Sequence, residues 1–98
     1  MSLAEKCYKL LKRIPKGKIT TYAELARAAN TKAYRAVGQA MGRNPNAPMV
    51  PCHRVVRSDG SISGYAGGVP KKIKLLKQEG VLVKNGRVCD FKEKLFRF

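Results

Sequence analysis

Acidic residues are scarce in this chain of 98 residues, which has 6 Asp and Glu against 21 Lys and Arg and a formal net charge of +15. No acid lies between Glu24 and Asp59, but that stretch holds six basic residues: Arg27, Lys32, Arg35, Arg43, Arg54 and Arg57. Because an ordinary solvated surface mixes both signs, the imbalance predicts a polyanionic partner, with nucleic acid as the first candidate. An anionic membrane surface and a charge-rich thermostable surface are the alternatives.

Long hydrophobic runs are also absent. No run approaches the roughly 18 apolar residues that a membrane-spanning helix needs, and the first residues, MSLAEKCYKLLKR, alternate charged with apolar side chains, unlike a signal peptide. We therefore expect a cytoplasmic location, with association to the nucleoid through DNA binding. The 44% hydrophobic content and the length predict one globular domain over residues 1–98.

Cysteine and histidine are too few for a usual metal site. The three cysteines, Cys7, Cys52 and Cys89, form no CxxC pair, and His53 is the only histidine. One histidine cannot complete a typical zinc site, so we predict no metal and no cofactor. In a reducing cytosol the three cysteines are free thiols.

Two short helices joined by a tight turn are predicted near the N-terminus. Apolar spacing indicates a first helix over residues 3–14. Thr21 and Glu24 have capping-box spacing before a helix at 22–29, and Thr31 is a candidate N-cap for a helix at 32–42. The last of these has a polar and basic face, formed by Lys32, Arg35 and Gln39. The pair is typical of a helix-turn-helix, although small helical proteins also contain such corners without binding DNA.

The second half of the chain predicts a smaller β component. Three prolines in residues 43–51 predict a stiff, extended segment that continues through CHRVV, with a short strand at residues 55–56. A helix is predicted over 70–79 with Gly80 at its C-terminal cap. Asn85 and Gly86 separate two alternating segments and indicate a β-hairpin, after which the aromatic C-terminal tail should pack on the core. The predicted fold class is mostly α, a winged helix-turn-helix with a C-terminal β-hairpin.

Cys52 and His53 stand side by side in the proline-rich segment. A thiolate is the strong nucleophile, and a neighbouring imidazole can remove the thiol proton. Adjacent residues of an extended segment rarely point the same way, so a bridging water and a direct hydrogen bond remain alternatives. Glu79 is a candidate for the group that orients the histidine, because a carboxylate at a helix C-terminus is unfavourable by about 0.3–1 kcal/mol. The alternatives are a structural thiol at Cys52 and a Glu79 that pairs with nearby lysines.

Several separated motifs agree in order and spacing with one known family. PCHRVV with NP upstream, RAVGQAM in the third predicted helix and YAGG downstream resemble the O6-alkylguanine-DNA alkyltransferases, also called methylated-DNA–protein-cysteine methyltransferases. The resemblance extends from the first helix to about Gly80. It implies a suicide enzyme that flips an O6-alkylguanine, with O4-alkylthymine as a second candidate, and transfers the alkyl group irreversibly to its own cysteine. The implied partner is the minor groove of double-stranded DNA, bound by a monomer with little sequence preference.

The resemblance also implies roles for individual residues. Cys52 would be the alkyl acceptor and His53 its base through a water, with Glu79 orienting the histidine. Asn44 would hold the active-site turn, and Tyr22 would position the flipped base and protonate or polarise the leaving guanine. Arg35 would fill the gap left in the duplex. The other candidate DNA contacts are Lys32, Gln39, Arg43 and Arg54. The candidate base pocket comprises Val55, Tyr65, Ala66, Gly67 and Lys72, of which Lys72 would add positive charge.

Two departures from the family accompany the resemblance. Many members carry an N-terminal domain, whereas this chain is expected to comprise the catalytic domain only. Ala66 stands where many members have Ser, which puts rate and substrate breadth in doubt more than the reaction itself. Two alternatives remain. One is an alkyltransferase-like protein that binds the lesion and recruits other repair without transfer, although such proteins replace the acceptor cysteine. The other is a plain winged-helix DNA-binding or regulatory protein.

Overall fold

The structure is a computed structural model that describes residues 2–47, 49–65 and 67–98. Its α-helices are α1 (Leu3–Leu11), α2 (Tyr22–Ala28), α3 (Tyr34–Gly42), α4 (Val69–Gln78) and α5 (Phe91–Lys94). Its β-strands are β1 (Thr20–Thr21), β2 (Val55–Val56), β3 (Val83–Lys84) and β4 (Arg87–Val88), and a 3-10 helix spans Cys52–Arg54. The predicted fold class, mostly helical with small sheets, is confirmed. Among these helices none has the length and apolar character needed to cross a membrane.

The helix-turn-helix consists of α2 and α3, packed against α1. The predicted cap of α2 is present, since Thr21 Oγ1 accepts a hydrogen bond from the Glu24 amide at 3.1 Å. The predicted start of α3 was two residues too early. Thr31 Oγ1 accepts from the Ala33 amide at 3.0 Å, two residues on, and so forms a local turn instead of capping the helix. The first helix is also shorter than expected: α1 ends at Leu11, whereas the predicted helix ended at residue 14.

The segment before Cys52 is folded into turns, which corrects the expectation of an extended segment over 43–51. The Val50 amide donates to the Asn46 carbonyl at 2.8 Å, and residues 52–54 form a 3-10 helix. Pro48 lies outside the described residues. The chain extends only at β2, which pairs in parallel with β1 through Thr20–Val55 and Thr21–Val56, so the predicted strand is confirmed.

Two hydrophobic cores meet at strand β2. Its successive side chains point to opposite sides, so Val55 joins the core beneath the helix-turn-helix and Val56 joins the core beneath α4 and the hairpin. The first core also includes Cys7, Leu11, Leu25, Val37, Met41 and Cys52, and the second includes Ile19, Leu76, Val81 and Val88. Cys52 is therefore anchored where the helical half of the molecule joins the rest.

The C-terminal hairpin and tail complete the fold. Strands β3 and β4 pair antiparallel around Asn85 and Gly86, whose φ angles of 53° and 75° are those of a tight hairpin turn, as predicted. Phe96 and Phe98 pack on the first core, and their rings meet edge to face with centroids 5.2 Å apart. The predicted docking of the aromatic tail is thus confirmed.

Candidate functional site

Cys52 lines a cavity of about 360 Å³ between the helix-turn-helix and the loop that precedes α4. The other lining residues are Tyr22, Gly38, Met41, Gly42, Gly64 and Tyr65. Three of these are glycines, and a Cβ atom added at any one of them would meet no atom within 4 Å outside its own chain neighbours. The cavity is consequently wide beside the thiol, with room for a planar ring between the helix and the loop.

His53, Glu79 and Arg54 form a hydrogen-bonded cluster next to Cys52. His53 Nε2 lies 3.1 Å from Glu79 Oε2, and the histidine side chain is almost fully buried. The Arg54 guanidinium donates to both carboxylate oxygens of Glu79, at 2.8 and 2.6 Å. In the described part of the chain, the salt bridges of Glu79 thus go to these two residues and not to the lysines of α4.

The electrostatics of the cluster favour a neutral histidine. Burial lowers the pKa of His53 below its ordinary value, although the hydrogen bond to Glu79 and the charge of Glu79 oppose this effect. Burial alone would raise the pKa of Glu79, but hydrogen bonds from Arg54 and His53 outweigh it, and the net effect is a lowered pKa. Because the carboxylate can only accept, His53 Nε2 carries the ring proton and Nδ1 keeps a lone pair.

Nδ1 of His53 is buried and has no hydrogen-bond partner among the described residues. An unpaired buried acceptor costs roughly 1–3 kcal/mol, and such groups in native structures are usually satisfied by an ordered water or used in chemistry. The free nitrogen is therefore the atom at which the neutral imidazole can accept a proton.

Asn44 braces the turn that leads to Cys52. Its Nδ2 donates to the Val50 carbonyl at 2.6 Å, and its Oδ1 accepts from the Asn46 amide at 3.0 Å. The same Val50 carbonyl accepts from the Cys52 amide at 2.9 Å. Asn44 thus links the end of α3 to Val50, the residue whose carbonyl accepts from the Cys52 amide, and its holding role stays a prediction.

Tyr22 reaches a buried polar group that the sequence did not reveal. Its hydroxyl lies 2.5 Å from Ser63 Oγ. Lys72 Nζ, fully buried, donates to Ser63 Oγ at 3.0 Å, to the Val55 carbonyl at 2.7 Å and to the Gly64 carbonyl at 3.4 Å. Burial, opposed by Cys52, lowers the pKa of Lys72 to about 8. Ser63 belongs to a Gly- and Ser-rich loop and has no local signal that separates it from its neighbours.

The predicted DNA-contacting residues divide into two groups. Four of them are exposed on α3 or beside its ends: Lys32, Arg35, Gln39 and Arg43. Arg54 is different, because its guanidinium is held by Glu79 and by the Ile14 carbonyl at 2.8 Å, and only 14% of the side chain is exposed. The structure thus gives Arg54 a structural contact in the His53–Glu79 cluster, and its role as a DNA contact stays a prediction.

Of the described residues that were predicted to form the base pocket, only Tyr65 is among those that line the cavity. Tyr65 lines the cavity, and a Cβ atom at Gly67 would lie 3.0 Å from its ring. The Val55 carbonyl is bonded to Lys72, whose charge is buried behind the cavity wall. Ala66 lies outside the described residues.

Comparison with known proteins gives consistent matches. Residues 2–81 match the family described as 6-O-methylguanine DNA methyltransferase, DNA binding domain. The methylated-DNA–protein-cysteine methyltransferase of Methanosarcina mazei is 53% identical over 73 residues, which cover 74% of this chain and 46% of that protein. The chain spans less than half the length of this and other curated relatives that it matches.

Two solved structures with DNA are similar in fold. S. pombe Atl1 in complex with damaged DNA containing O6-carboxymethylguanine has a TM-score of 0.85 and 33% identity, covering 98% of this chain and 95% of that one. Mycobacterium tuberculosis OGT in complex with DNA has a TM-score of 0.77 and 41% identity, covering 81% of this chain and 50% of that one.

Proposed function

Because the chain belongs to the 6-O-methylguanine DNA methyltransferase family, we propose that it repairs DNA by moving the alkyl group of O6-alkylguanine to Cys52. The observation that carries this proposal is the buried Nδ1 of His53, which has no hydrogen-bond partner among the described residues and is next in sequence to the thiol that lines the cavity. A histidine in this state is a base at neutral pH. Glu79 holds its other nitrogen and stabilises the imidazolium that forms when the thiol proton is taken.

In the proposed reaction, a water passes the Cys52 thiol proton to His53 Nδ1. The thiolate sulfur then attacks the alkyl carbon, and the bond between that carbon and guanine O6 breaks. The bonding electrons stay with guanine, which becomes neutral by taking a proton from the Tyr22 hydroxyl at the cavity wall. Cys52 is left as a thioether. O4-alkylthymine, with the same type of carbon–oxygen bond, is a second substrate for this chemistry.

The proposed DNA complex requires base flipping, since an alkyl group on O6 lies inside the base stack. The cavity of about 360 Å³ is in the usual size range of small-molecule pockets and would take the extruded base. Arg35, exposed on α3, would enter the duplex in its place, with Lys32, Gln39 and Arg43 beside the minor-groove backbone. We further propose that residues 1–98 act as one catalytic domain, as a monomer associated with chromosomal DNA.

A second function is favoured by one observation. The similarity in fold to S. pombe Atl1, a protein solved with damaged DNA, extends over nearly the whole of both chains. This chain could therefore bind the lesion without transferring the alkyl group. The combination of Cys52, His53 and Glu79 favours transfer instead, because lesion binding alone needs neither a thiol in the cavity nor a base beside it.

Intact-mass measurement separates the two functions. The protein is incubated with duplex DNA containing one O6-methylguanine, and Cys52→Ser serves as the matched control. Transfer predicts a gain of one methyl group in the wild type and none in the variant. A wild-type protein that binds the methylated duplex more tightly than the plain one, and gains no mass, would identify the lesion-binding function.

A further inference from the structure

Ser63 links Tyr22, which lines the cavity, to Lys72, which is buried behind the cavity wall. Its Oγ lies 2.5 Å from the Tyr22 hydroxyl and 3.0 Å from Lys72 Nζ, and its side chain is buried. Ser63 lies in the loop before α4, Tyr22 begins α2, and Lys72 is in the first turn of α4. The serine therefore connects the start of α2 to the loop and first turn of α4, which lie more than 40 residues further along the chain.

The direction of the Lys72 hydrogen bonds follows from the chemistry of the ammonium group. An ammonium has three protons and no acceptor, so Lys72 donates to Ser63 Oγ as well as to the Val55 and Gly64 carbonyls. Ser63 accepts from the lysine and keeps its own proton, for which Tyr22 is the neighbour within reach. Either hydroxyl can donate in this contact. The arrangement in which Ser63 donates uses the serine proton and leaves the phenolic proton of Tyr22 free to point into the cavity.

We propose that Ser63 is a positioning residue that aims the phenolic proton of Tyr22 at the leaving base. This inference rests on the proposed function, because it assigns Tyr22 as the proton donor to guanine. Ser63 acts through Tyr22 and does not itself line the cavity wall around Cys52. Without the serine hydroxyl, the phenol loses its hydrogen-bond partner among the described residues, and its proton can turn towards the gap left at position 63.

The hydrogen bond with Ser63 also affects the acidity of Tyr22. Burial raises the pKa of Tyr22, while the hydrogen bond with Ser63 lowers it. Cys52 raises this pKa further and Arg57 lowers it. The phenol is thus protonated at neutral pH, and Ser63 makes it a better acid than burial alone would leave it.

The test compares Ser63→Ala with Ser63→Thr, which restores a hydroxyl, and with Ser61→Ala. Ser61 lies on the same loop but its hydroxyl bonds to Asp59, away from Tyr22. One measurement is the pKa of Tyr22 in the free protein, from the NMR shift of its labelled ring carbon, assigned with Tyr22→Phe. The other is the single-turnover rate of methyl transfer from duplex DNA.

We expect Ser63→Ala to raise the pKa of Tyr22 and to slow transfer by roughly tenfold, less than the roughly 10²–10⁴-fold that one general acid contributes, because the phenol itself is retained. Ser63→Thr should return both quantities towards wild type, and Ser61→Ala should change neither. An unmoved Tyr22 pKa in Ser63→Ala, or no recovery in Ser63→Thr, would overturn the positioning role. If wild type transfers no methyl group, the proposed function fails, while the Tyr22 pKa still decides whether Ser63 donates to the phenol.

Discussion

His53 and Glu79 are 26 residues apart in sequence, yet His53 Nε2 and Glu79 Oε2 lie 3.1 Å apart in a buried cluster. The contact holds the ring proton on Nε2 and leaves Nδ1 with a lone pair and no partner among the described residues. Burial keeps the pKa of the ring below its ordinary value. The pair thus supplies a neutral base whose orientation is set from the end of α4.

Glu79→Gln should slow alkyl transfer by about 10- to 100-fold, since a glutamine amide can donate to Nε2 and favour the tautomer with its proton on Nδ1. The carboxylate raises the pKa of His53, so its loss lowers that pKa further. Because His53 must be unprotonated to act, the rate falls at acidic pH, and this fall should move to lower pH in the variant.

The measurement is the single-turnover rate as a function of pH for wild type and Glu79→Gln. Glu93→Gln is the matched control, because it removes an exposed carboxylate of α5. If Glu79→Gln has a wild-type rate and pH profile, His53 does not act as a base oriented by this carboxylate.

Two arginines in the acid-free stretch should behave in opposite ways. Arg43 is exposed, whereas Arg54 is held by Glu79 and the Ile14 carbonyl. If the protein neutralises about 4–6 phosphates, the slope of log K against log salt is about −4 to −5. Arg43→Ala should make this slope shallower by about 1. Arg54→Ala should leave the slope unchanged and lower the free energy of unfolding by about 2–4 kcal/mol, because it leaves a largely buried carboxylate without its strongest partner.

Binding to undamaged DNA at several salt concentrations, together with chemical denaturation, checks both variants. If Arg54→Ala makes the slope of log K against log salt shallower and leaves the free energy of unfolding unchanged, Arg54 contacts DNA. The comparison is well controlled, because the two substitutions remove the same side chain and the same charge.

Arg35→Ala should slow alkyl transfer from duplex DNA and leave transfer from a free base almost unchanged. The side chain is exposed on α3 and is proposed to occupy the space of the flipped nucleotide. Flipping costs a few kcal/mol, so loss of the inserted group should slow transfer from duplex DNA by about tenfold or more. Transfer from the free base O6-benzylguanine needs no flipping and should change less than about twofold.

The two single-turnover rates, measured side by side, check this prediction. Arg87→Ala is the control, since Arg87 is an exposed arginine of the hairpin that lies near Asp59. Equal losses on duplex and free base in Arg35→Ala would instead give Arg35 a place in the chemical site or a structural role.

Local patterns predicted much of this fold. The capping box at Thr21, the helical spacing of α1 to α4 and the Asn85–Gly86 turn depend on residues a few positions apart, and the structure has all of them. The 3-10 helix at Cys52 was missed because the prolines restrict the backbone without dictating a turn. The turn depends on hydrogen bonds from the Asn44 side chain, which composition does not reveal.

The site was predicted only in part, because its contacts join distant segments. Thiol chemistry, the position of Glu79 at a helix C-terminus and the motif resemblance together predicted Cys52, His53 and Glu79, which lie in one part of the molecule. Arg54 was predicted to contact DNA because of its charge. The residues next to it in sequence do not show that Glu79, 25 residues away, will bind it. Ser63 carries no signal at all in the sequence, as its role depends on the burial of Lys72 and the approach of α2.

The remaining prediction concerns the fate of the alkyl group. Attack by the Cys52 sulfur gives a thioether, which is a poor electrophile without special activation. The other thiols are not suited to remove the group. Burial in the first core raises the pKa of Cys7 and so disfavours its thiolate, and Cys89 follows β4 in the hairpin region. The protein should therefore react once, with one alkyl group retained per chain.

Peptide mass mapping after reaction with excess methylated duplex should find the methyl group on Cys52 alone. Cys52→Ala should abolish transfer and keep the affinity for DNA within about twofold, because it leaves α3 and Arg35 unchanged. Cys89→Ala is the matched control and should transfer one methyl group at the wild-type rate. More than one repaired lesion per chain, or a methyl group on Cys7 or Cys89, would contradict a single irreversible transfer, because either result requires a second thiol to act in the reaction.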